Sequence, residues 1–412
     1  MELTTEQHDL RDAVRGLLAR HDRAVAAEPS ASSEPGTGER PVPGYDVPLW
    51  QRLCGEIGVA GLAIPERYGG AGAGPTETCI VMEELGRGLV PSPMLGSVVL
   101  AGQALLASGD DEACRRLLPA IVTGATVAAL AWAAEAGHWD PAEPAFAARP
   151  AGPTAGVHPG GPLSPDAGPL PGPSRAGESG HGRVLTGEAH HVLDGDTAGV
   201  LLAAARAPDG TGLFEVDPAH PAVTRRAVTT MDTTRRLAVV ALEGAPGCRL
   251  GAGRGDHALA RARDLACIAL AAEQAGAAQR ALELTVAYTK TRVQFGRPIG
   301  TFQALQHRMA DLHVLVESAR SLCYAAALAA AGAEADPGRD SARLGMLAAA
   351  AKAHCSQALT RAAGQMIQMH GAIGITWEHD AHRYFKRAHG TGQLFGRPEE
   401  HVARIAAALI DG

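Results

Sequence analysis

The sequence predicts an α+β fold that is mainly α-helical: an N-terminal helical domain, a small middle β-domain and a C-terminal four-helix bundle. Apolar residues recur at helical spacing up to about residue 125, and short β-prone runs lie between 126 and 250. Long alanine-rich segments with helical periodicity then occupy 256–410. We therefore expect domains at residues 1–125, 126–250 and 251–412.

The N-terminal domain begins with a helix. Thr4 and Gln7 have the spacing of a capping box, and an apolar stripe that includes Val14 and Leu17 follows. Residues 21–47 are rich in Pro, Ser, Gly and Glu, a composition that predicts a mobile connector. Helical pattern then resumes at Trp50.

The middle domain is predicted as β-structure interrupted by a long insertion. Residues 137–182 contain many Pro and Gly and little periodic apolar content, so we expect this insertion to be disordered, on the surface. The β-prone runs around it are residues 126–132, 200–205, 213–216 and 237–242.

The C-terminal domain is predicted as a bundle. Leu265, Ile268, Leu282 and Val286 lie on one stripe of the first long helix. Long alanine-rich helices pack closely side by side, which favours a bundle and often one that is shared between subunits.

Composition and charge exclude several classes of protein. The 412 residues carry a net charge of −7, so neither nucleic acid nor an anionic membrane surface is an expected partner. We find no apolar run of the roughly 20 residues that a membrane span requires. The N terminus lacks the basic region of a secretory signal, and we therefore expect a cytoplasmic protein. The seven cysteines are scattered without a metal-binding spacing, so no metal site is expected.

An ordered set of motifs carries a family resemblance. The N-terminal half contains Gly61-Leu-Ala-Ile-Pro-Glu66 and Tyr68-Gly-Gly-Ala-Gly72. The longest motif runs from Tyr288-x-x-x-Arg-x-Gln-Phe-Gly to Gln303, and the next is Gln368-x-x-Gly-x-x-Gly374. In this order, the motifs resemble the acyl-CoA dehydrogenase family over nearly the whole chain.

The resemblance implies an FAD-dependent dehydrogenase. In this family a carboxylate removes the α proton of an acyl-CoA thioester, the β hydrogen leaves as hydride to the flavin, and an electron-transfer flavoprotein accepts the electrons. It also implies that Arg292, Phe295, Gln303, Gln368 and Gly371 contact FAD. In this family the Arg292–Phe295 loop reaches the FAD of a neighbouring subunit, so the chain is expected to form a homo- or hetero-oligomer, a dimer or tetramer. Taken alone, Arg292 is equally an ordinary cation at a helix end, and Gly371 an ordinary glycine cap.

The sequence departs from the family where the base is expected. Phe395 stands at the usual position of the Glu, and Ala266 stands at the alternative position. Glu273 lies near the face of Ala266 but about 10 Å further along the helix, which favours an ion pair over a relocated base. Asp264, Glu378, Glu399 and Glu400 are also interpreted as structural, so the sequence assigns no catalytic residue.

The flavin-facing strands of the middle domain also differ from the family. Ala134 and Leu193 replace the two threonines that the resemblance places against the flavin ring. His190 and His191 are adjacent, but neighbouring residues on a strand point to opposite faces, which argues against a metal site.

Two functions remain open at this point. The first is a working FAD-dependent acyl-CoA dehydrogenase with a relocated base. The second is a catalytically silent partner subunit of a heteromeric acyl-CoA dehydrogenase. The runs Thr376–His382 and Leu394–Pro398 are similar to acyl-CoA dehydrogenase subunits of bacterial sterol side-chain breakdown, which often work as unlike pairs. The acyl group of the substrate does not follow from the sequence.

Overall fold

The computed structural model describes residues 3–27, 43–150, 182–252, 255–335 and 341–410. The predicted fold class is confirmed, since two helical regions flank a small β-domain. The N-terminal helices are α1 (Thr5–Ala27), α2 (Val47–Arg52), α3 (Pro75–Arg87), α4 (Gln103–Ala107) and α5 (Asp111–Val122), with π-type turns at Leu53–Ile57 and Met94–Gly102 and 3₁₀ turns at Val59–Gly61 and Glu66–Tyr68.

The capping box predicted at the start of α1 is present. The backbone N–H of Gln7 donates to the Thr4 hydroxyl over 3.2 Å, and the backbone N–H of Thr4 donates to the Gln7 side chain over 3.1 Å. Helix α1 continues to Ala27, so the connector predicted from residue 21 begins too early. The remainder of that prediction, residues 28–42, lies outside the described residues.

The middle domain is one sheet whose central strands close into a ring. Its strands are β1 (Ala128–Ala131), β2 (Phe146–Pro150), β3 (Gly182–Leu193), β4 (Val200–Ala207), β5 (Gly210–Val216), β6 (Val223–Val228) and β7 (Leu237–Leu250). The ring runs β4, β2, β3, β7, β5 and back to β4, with β1 parallel to β4 and β6 antiparallel to β7.

The predicted disordered insertion at 137–182 is wrong for its first part. Residues 146–150 form β2, whose Phe146 and Ala148 are buried and which pairs antiparallel with β3. Trp139 is buried as well. Two alternating apolar residues among Pro and Gly are too weak a pattern to predict a strand from the sequence. The strand forms because it pairs with β3. Residues 151–181 lie outside the described residues.

The C-terminal region is built on three long helices. It contains α6 (Gly255–Thr291), the hairpin β8 (Val293–Gln294) and β9 (Arg297–Pro298), α7 (Gln303–Ala335), α8 (Ser341–His370), α9 (Ala381–Gln393) and α10 (Pro398–Ile410), with 3₁₀ turns at Ile299–Thr301 and Gly371–Ile375. Helix α6 packs on both α7 and α8, and α9 and α10 pack on α8.

One hydrophobic core joins the three regions. It includes Val14 of α1, Leu130 of β1 and Ile268 of α6. Helix α3 crosses α6 at two glycines, where a Cβ on Gly86 or on Gly276 would come within 2.0 Å of a backbone oxygen of the other helix. The helices therefore touch backbone to backbone, and this contact fixes the N-terminal region against the bundle.

Most of the cysteines lie in the hydrophobic core as small apolar residues. All seven are free thiols; six are buried and Cys248 is intermediate.

Within α7, Gln303–Gly332 is long and apolar enough to cross a membrane by length and composition, with a mean hydropathy of 1.3 in its most apolar window. This test uses length and average composition only, and the core helix of a globular protein passes it as well. The helix packs within the bundle.

Candidate functional site

The Arg292–Phe295 loop projects from the end of α6. The backbone N–H of Arg292 still donates to the Tyr288 carbonyl over 2.9 Å, and the Ile299 N–H donates to the Arg292 carbonyl over 2.8 Å, which closes the hairpin. Phe295 (φ 53°) and Gly296 (φ 77°) form its left-handed tip. The Phe295 side chain is 92% exposed. The left-handed backbone, which is unfavourable for residues other than glycine, therefore places a large apolar side chain in solvent.

The polar side chains of this loop and of the first residue of α7 are available to a ligand. Arg292 and Gln303 are both exposed, and neither side chain forms a hydrogen bond or ion pair with another residue that the structure describes. A guanidinium in this situation offers its full fork of donors to a diphosphate.

The Gln368–Gly371 turn ends α8. Gly371 has φ +64°, and a Cβ placed there would meet nothing within 4 Å, so the backbone at this point is open to a ligand. The Gln368 side chain is exposed and has no hydrogen-bond partner among the described residues. The turn is therefore a glycine-capped helix end that also offers an unoccupied amide group.

Contacts between Tyr288 and His370 bring the loop and the turn to one end of the bundle. The Tyr288 hydroxyl donates to the His370 carbonyl over 3.3 Å, and the two rings stack with centroids 4.2 Å apart. Tyr288 lies one helical turn before Arg292, and His370 directly precedes Gly371. The two elements that carry four of the five predicted cofactor-binding residues are thus neighbours in the fold, and the fifth residue, Gln303, begins α7 after the hairpin.

The two positions where the resemblance expects a base are part of the hydrophobic core. Phe395 is 1% exposed and packs edge-to-face on Trp139 at 4.9 Å, and Trp139 packs edge-to-face on Trp132 at 5.6 Å. Ala266 is fully buried in the same core. Residues from β1, the loop after it, α6 and the turn after α9 therefore form one apolar cluster here.

A buried lysine holds the turn that carries Phe395. The Lys352 ammonium is fully buried and donates to the carbonyls of Gly392 and Gly396, both at 3.2 Å, and to the Ser356 hydroxyl at 3.1 Å. Burial lowers the pKa of Lys352 to about 8. Phe395 itself has φ +60°, a conformation that this anchored turn maintains.

Glu273 is held in an ion-pair network. One carboxylate oxygen accepts from Arg387 at 3.0 Å, and the other accepts from Arg235. Arg387 also lies 3.3 Å from Asp232. Both carboxylate oxygens are thus engaged by guanidinium groups, as the ion-pair interpretation expects.

The other acidic residues considered as bases are also paired or exposed. Asp264 accepts from Arg404 at 2.8 Å, and Glu400 pairs with Arg397 at 3.3 Å. Glu378 and Glu399 are exposed.

A cavity of about 450 Å³ lies beside this cluster. Its walls come from the loop after β1, the segment between β6 and β7, and the end of α9 with the turn that follows; Trp139, Met231 and Leu237 supply its apolar surface. Leu193, which replaces a threonine of the family pattern, is buried, and Ala134 offers no hydroxyl group. The positions that match the two threonines of the family pattern thus provide no side-chain hydroxyl, and the indole of Trp139 packs on Phe395.

The adjacent histidines do not converge on one point. His190 pairs with Glu188 at 2.8 Å, and its ring centroid is 6.2 Å from that of His191. No group of three or more His, Cys, Asp or Glu side chains in the described part of the chain is arranged to hold a metal ion.

Comparison with known proteins identifies the family. Two family models match, the acyl-CoA dehydrogenase N-terminal domain over residues 4–125 and the C-terminal domain over residues 253–410. The acyl-CoA dehydrogenase IpdE2 of Mycolicibacterium smegmatis is 37% identical over 408 residues, which cover 99% of this chain and 100% of that protein. The chain belongs to the acyl-CoA dehydrogenase family. These are FAD-dependent oxidoreductases that act on CH–CH bonds in lipid metabolism, and the predicted family and cofactor are confirmed at this level.

Two solved structures extend the comparison. A Tcur3481–Tcur3483 steroid ACAD variant has a TM-score of 0.77 and 30% sequence identity, and the match covers 99% of this chain and 98% of the chain in that structure. The ChsE4–ChsE5 complex from Mycobacterium tuberculosis has a TM-score of 0.78 and 27% sequence identity, and the match covers 100% of this chain and 99% of the chain in that structure. This chain is therefore similar to family members that were solved as unlike pairs.

Three features of this region are missed by the sequence analysis. Trp139 lies inside the predicted insertion, where a lone tryptophan among Pro and Gly was the available signal. Lys352 looks like any lysine on an alanine-rich helix. Tyr288 belongs to the quoted motif, but nothing in the sequence pairs it with His370.

Proposed function

We propose that this chain is the catalytically silent partner subunit of a heteromeric FAD-dependent acyl-CoA dehydrogenase. It would present its Arg292–Phe295 loop and its Gln368–Gly371 turn to the flavin of a catalytic paralogue. The observation that carries this proposal is the apolar cluster of Trp139 and Phe395, with Ala266 in the same core, at both positions where the family carries its base.

The absence of a usable carboxylate at these positions argues against turnover by this chain alone. Loss of a general base costs about 10²–10⁴-fold in rate. Glu273, the nearest alternative, is committed to Arg235 and Arg387. A stand-alone enzyme would have to overcome both effects, whereas a partner subunit needs no base.

The outward-facing elements, by contrast, fit the nucleotide part of FAD. Arg292 supplies the donors for a diphosphate, Gln303 and Gln368 supply amide groups, and Gly371 permits close backbone approach. FAD bound there would supply the hydride acceptor for dehydrogenation of the thioester. The role of this chain is to hold the cofactor and to cover it from water.

Exposed apolar side chains near the same end of the bundle support an interface with another subunit. Phe295, Ile375 and Trp377 are 92%, 72% and 82% exposed. Large apolar groups of this kind are typical of a protein–protein contact. The unlike pairs among the similar structures support a family paralogue as the occupant.

The relatives support a proposal for the substrate, and the family resemblance supports one for the electron acceptor. A steroid-derived acyl-CoA thioester is the proposed substrate of the assembled enzyme, because the Tcur3481–Tcur3483 structure is described as a steroid ACAD. An electron-transfer flavoprotein is the proposed acceptor, and the cytoplasm is the proposed location.

A second candidate is a dehydrogenase with its own flavin. The cavity of about 450 Å³ beside Trp139 favours it, since space remains between the middle domain and α9. This hypothesis requires a base from outside the core cluster.

The test is to purify the chain alone and together with a family paralogue from the same organism that has a Glu at the position matching Phe395. We expect the chain alone to be colourless, and the pair to be yellow and to bleach with a steroid acyl-CoA. Arg292→Ala should lower FAD binding by the pair at least tenfold, a loss typical of a charge-assisted contact.

Arg52→Ala is the matched control, because Arg52 is a partly exposed arginine of the N-terminal region that pairs with Glu56 at 2.7 Å. A yellow, active preparation of the chain alone contradicts the proposal, and so does full FAD binding by the Arg292→Ala pair.

A further inference from the structure

The ends of α6 and α8 are joined by a stack of two rings, Tyr288 on His370, against which the His379 ring lies tilted by 45°. The Tyr288 ring lies 4.2 Å from the His370 ring at an interplanar angle of 24°, and the His379 ring lies 4.3 Å from the His370 ring. Tyr288 also donates its hydroxyl hydrogen to the His370 carbonyl. The contacts between Tyr288 and His370 join segments that are 82 residues apart in the chain.

The His370 ring of this stack is fixed in one state. His370 is 4% exposed, and its Nδ1 lies 2.7 Å from the Met366 carbonyl. Because a carbonyl oxygen can only accept, Nδ1 carries the proton. Nε2 is buried without a hydrogen-bond partner among the described residues, and burial lowers the pKa of His370, so the ring stays neutral.

We propose that Tyr288 and His370 are positioning residues that hold the Arg292–Phe295 loop and the Gln368–Gly371 turn at a fixed separation, and so set the affinity for FAD at the subunit interface. This inference rests on the proposed function. Arg292 follows Tyr288 by one helical turn and bonds to its carbonyl, while Gly371 is bonded directly to His370. A shift of either ring therefore moves one of the two ligand-holding elements relative to the other.

The test compares variants of the assembled pair by FAD titration, monitored by flavin absorbance and fluorescence. Tyr288→Leu removes both the stack and the hydroxyl, and we expect FAD to bind about five- to tenfold more weakly, with the pair still assembled. Tyr288→Phe keeps the stack, and we expect it to recover affinity to within about threefold of wild type.

Tyr384→Phe is the matched control, because the Tyr384 hydroxyl also donates to a backbone carbonyl, that of Arg87 at 2.7 Å, without joining the two FAD-holding elements. It should leave FAD affinity unchanged. Unchanged FAD affinity in Tyr288→Leu, or an equal loss in Tyr384→Phe, overturns the inference.

The outcomes for this inference and for the proposed function are separable. Loss of FAD in Arg292→Ala together with normal FAD binding in Tyr288→Leu rejects only the positioning role. Normal FAD binding in both variants rejects the proposed function as well.

Discussion

At position 395 a single side chain decides what the turn after α9 can do. A carboxylate there could accept a proton, whereas Phe395 packs on Trp139 and is 1% exposed. The backbone of Phe395 is left-handed, with φ +60°. The turn therefore has a packing role in this chain, and its stability should depend on the aromatic ring.

Removal of that ring gives a residue-scale prediction. Phe395→Ala should lower the free energy of unfolding of the isolated chain by about 3–5 kcal/mol, because it leaves a cavity in a closely packed core. Phe295→Ala is the control, since that ring is 92% exposed and its loss should change stability by less than about 0.5 kcal/mol. Denaturant unfolding measures both. Equal effects would mean that Phe395 is not a core residue.

Lys352 predicts a pH dependence of stability. Its pKa is about 8 in the folded chain against 10.5 for an ordinary lysine, so the unfolded state binds more protons between these values. The stability contributed by this residue therefore rises as the pH increases from about 8 to about 10.5.

The measurement is the difference in free energy of unfolding between wild type and Lys352→Met at pH 7.5 and at pH 10.5. We expect this difference to shift in favour of wild type by up to roughly 3 kcal/mol at the higher pH. A difference that is the same at both pH values would show that Lys352 has an ordinary pKa in the folded chain.

Among the helices, the crossing of α3 and α6 depends on the absence of side chains. Gly86 faces the backbone of Glu273, and Gly276 faces the backbone of Glu83, with room for hydrogen atoms only. The two helices can therefore approach more closely than ordinary helix pairs do. The same contact places Glu273 where Arg235 and Arg387 reach it.

The element-scale prediction concerns this crossing. Gly276→Ala should lower the melting temperature, because the new methyl group would lie 2.0 Å from the Glu83 carbonyl oxygen and the helices must separate, at a cost of about 1–3 kcal/mol. Gly364→Ala on α8 is the control, since its Cβ meets nothing within 4 Å and helix propensity should make it neutral or slightly stabilising. A Gly276→Ala protein as stable as wild type would exclude the close contact.

At the scale of the whole molecule, the proposed function divides the flavin site between two subunits. This chain supplies the loop and the turn at the end of the bundle, and the paralogue supplies the catalytic part. The outward elements at the end of the bundle have available donors, while the inward positions near Phe395 are apolar core. We therefore predict one FAD for each pair of this chain and its paralogue. Flavin absorbance at a known protein concentration measures this number, and native mass spectrometry of the pair measures it independently. Two FAD per pair would support the second candidate, a subunit with its own flavin.

Prediction from the sequence succeeds for features that are local in the chain. The capping box of Thr4 and Gln7 and the helical stripes depend on neighbours within a few residues. Strand β2 is missed because its burial comes from pairing with β3, which lies more than 30 residues further along.

The sequence by itself determines the order of helical and β regions, the family motifs and the absence of a carboxylate at positions 266 and 395. Each of these is a matter of residue type at a given spacing. Only the tertiary structure decides that Trp139 covers Phe395, that two arginines hold Glu273 and that Tyr288 stacks on His370. Burial and pairing are created when segments distant in the chain pack together, and no pattern within either segment specifies which distant side chain will arrive.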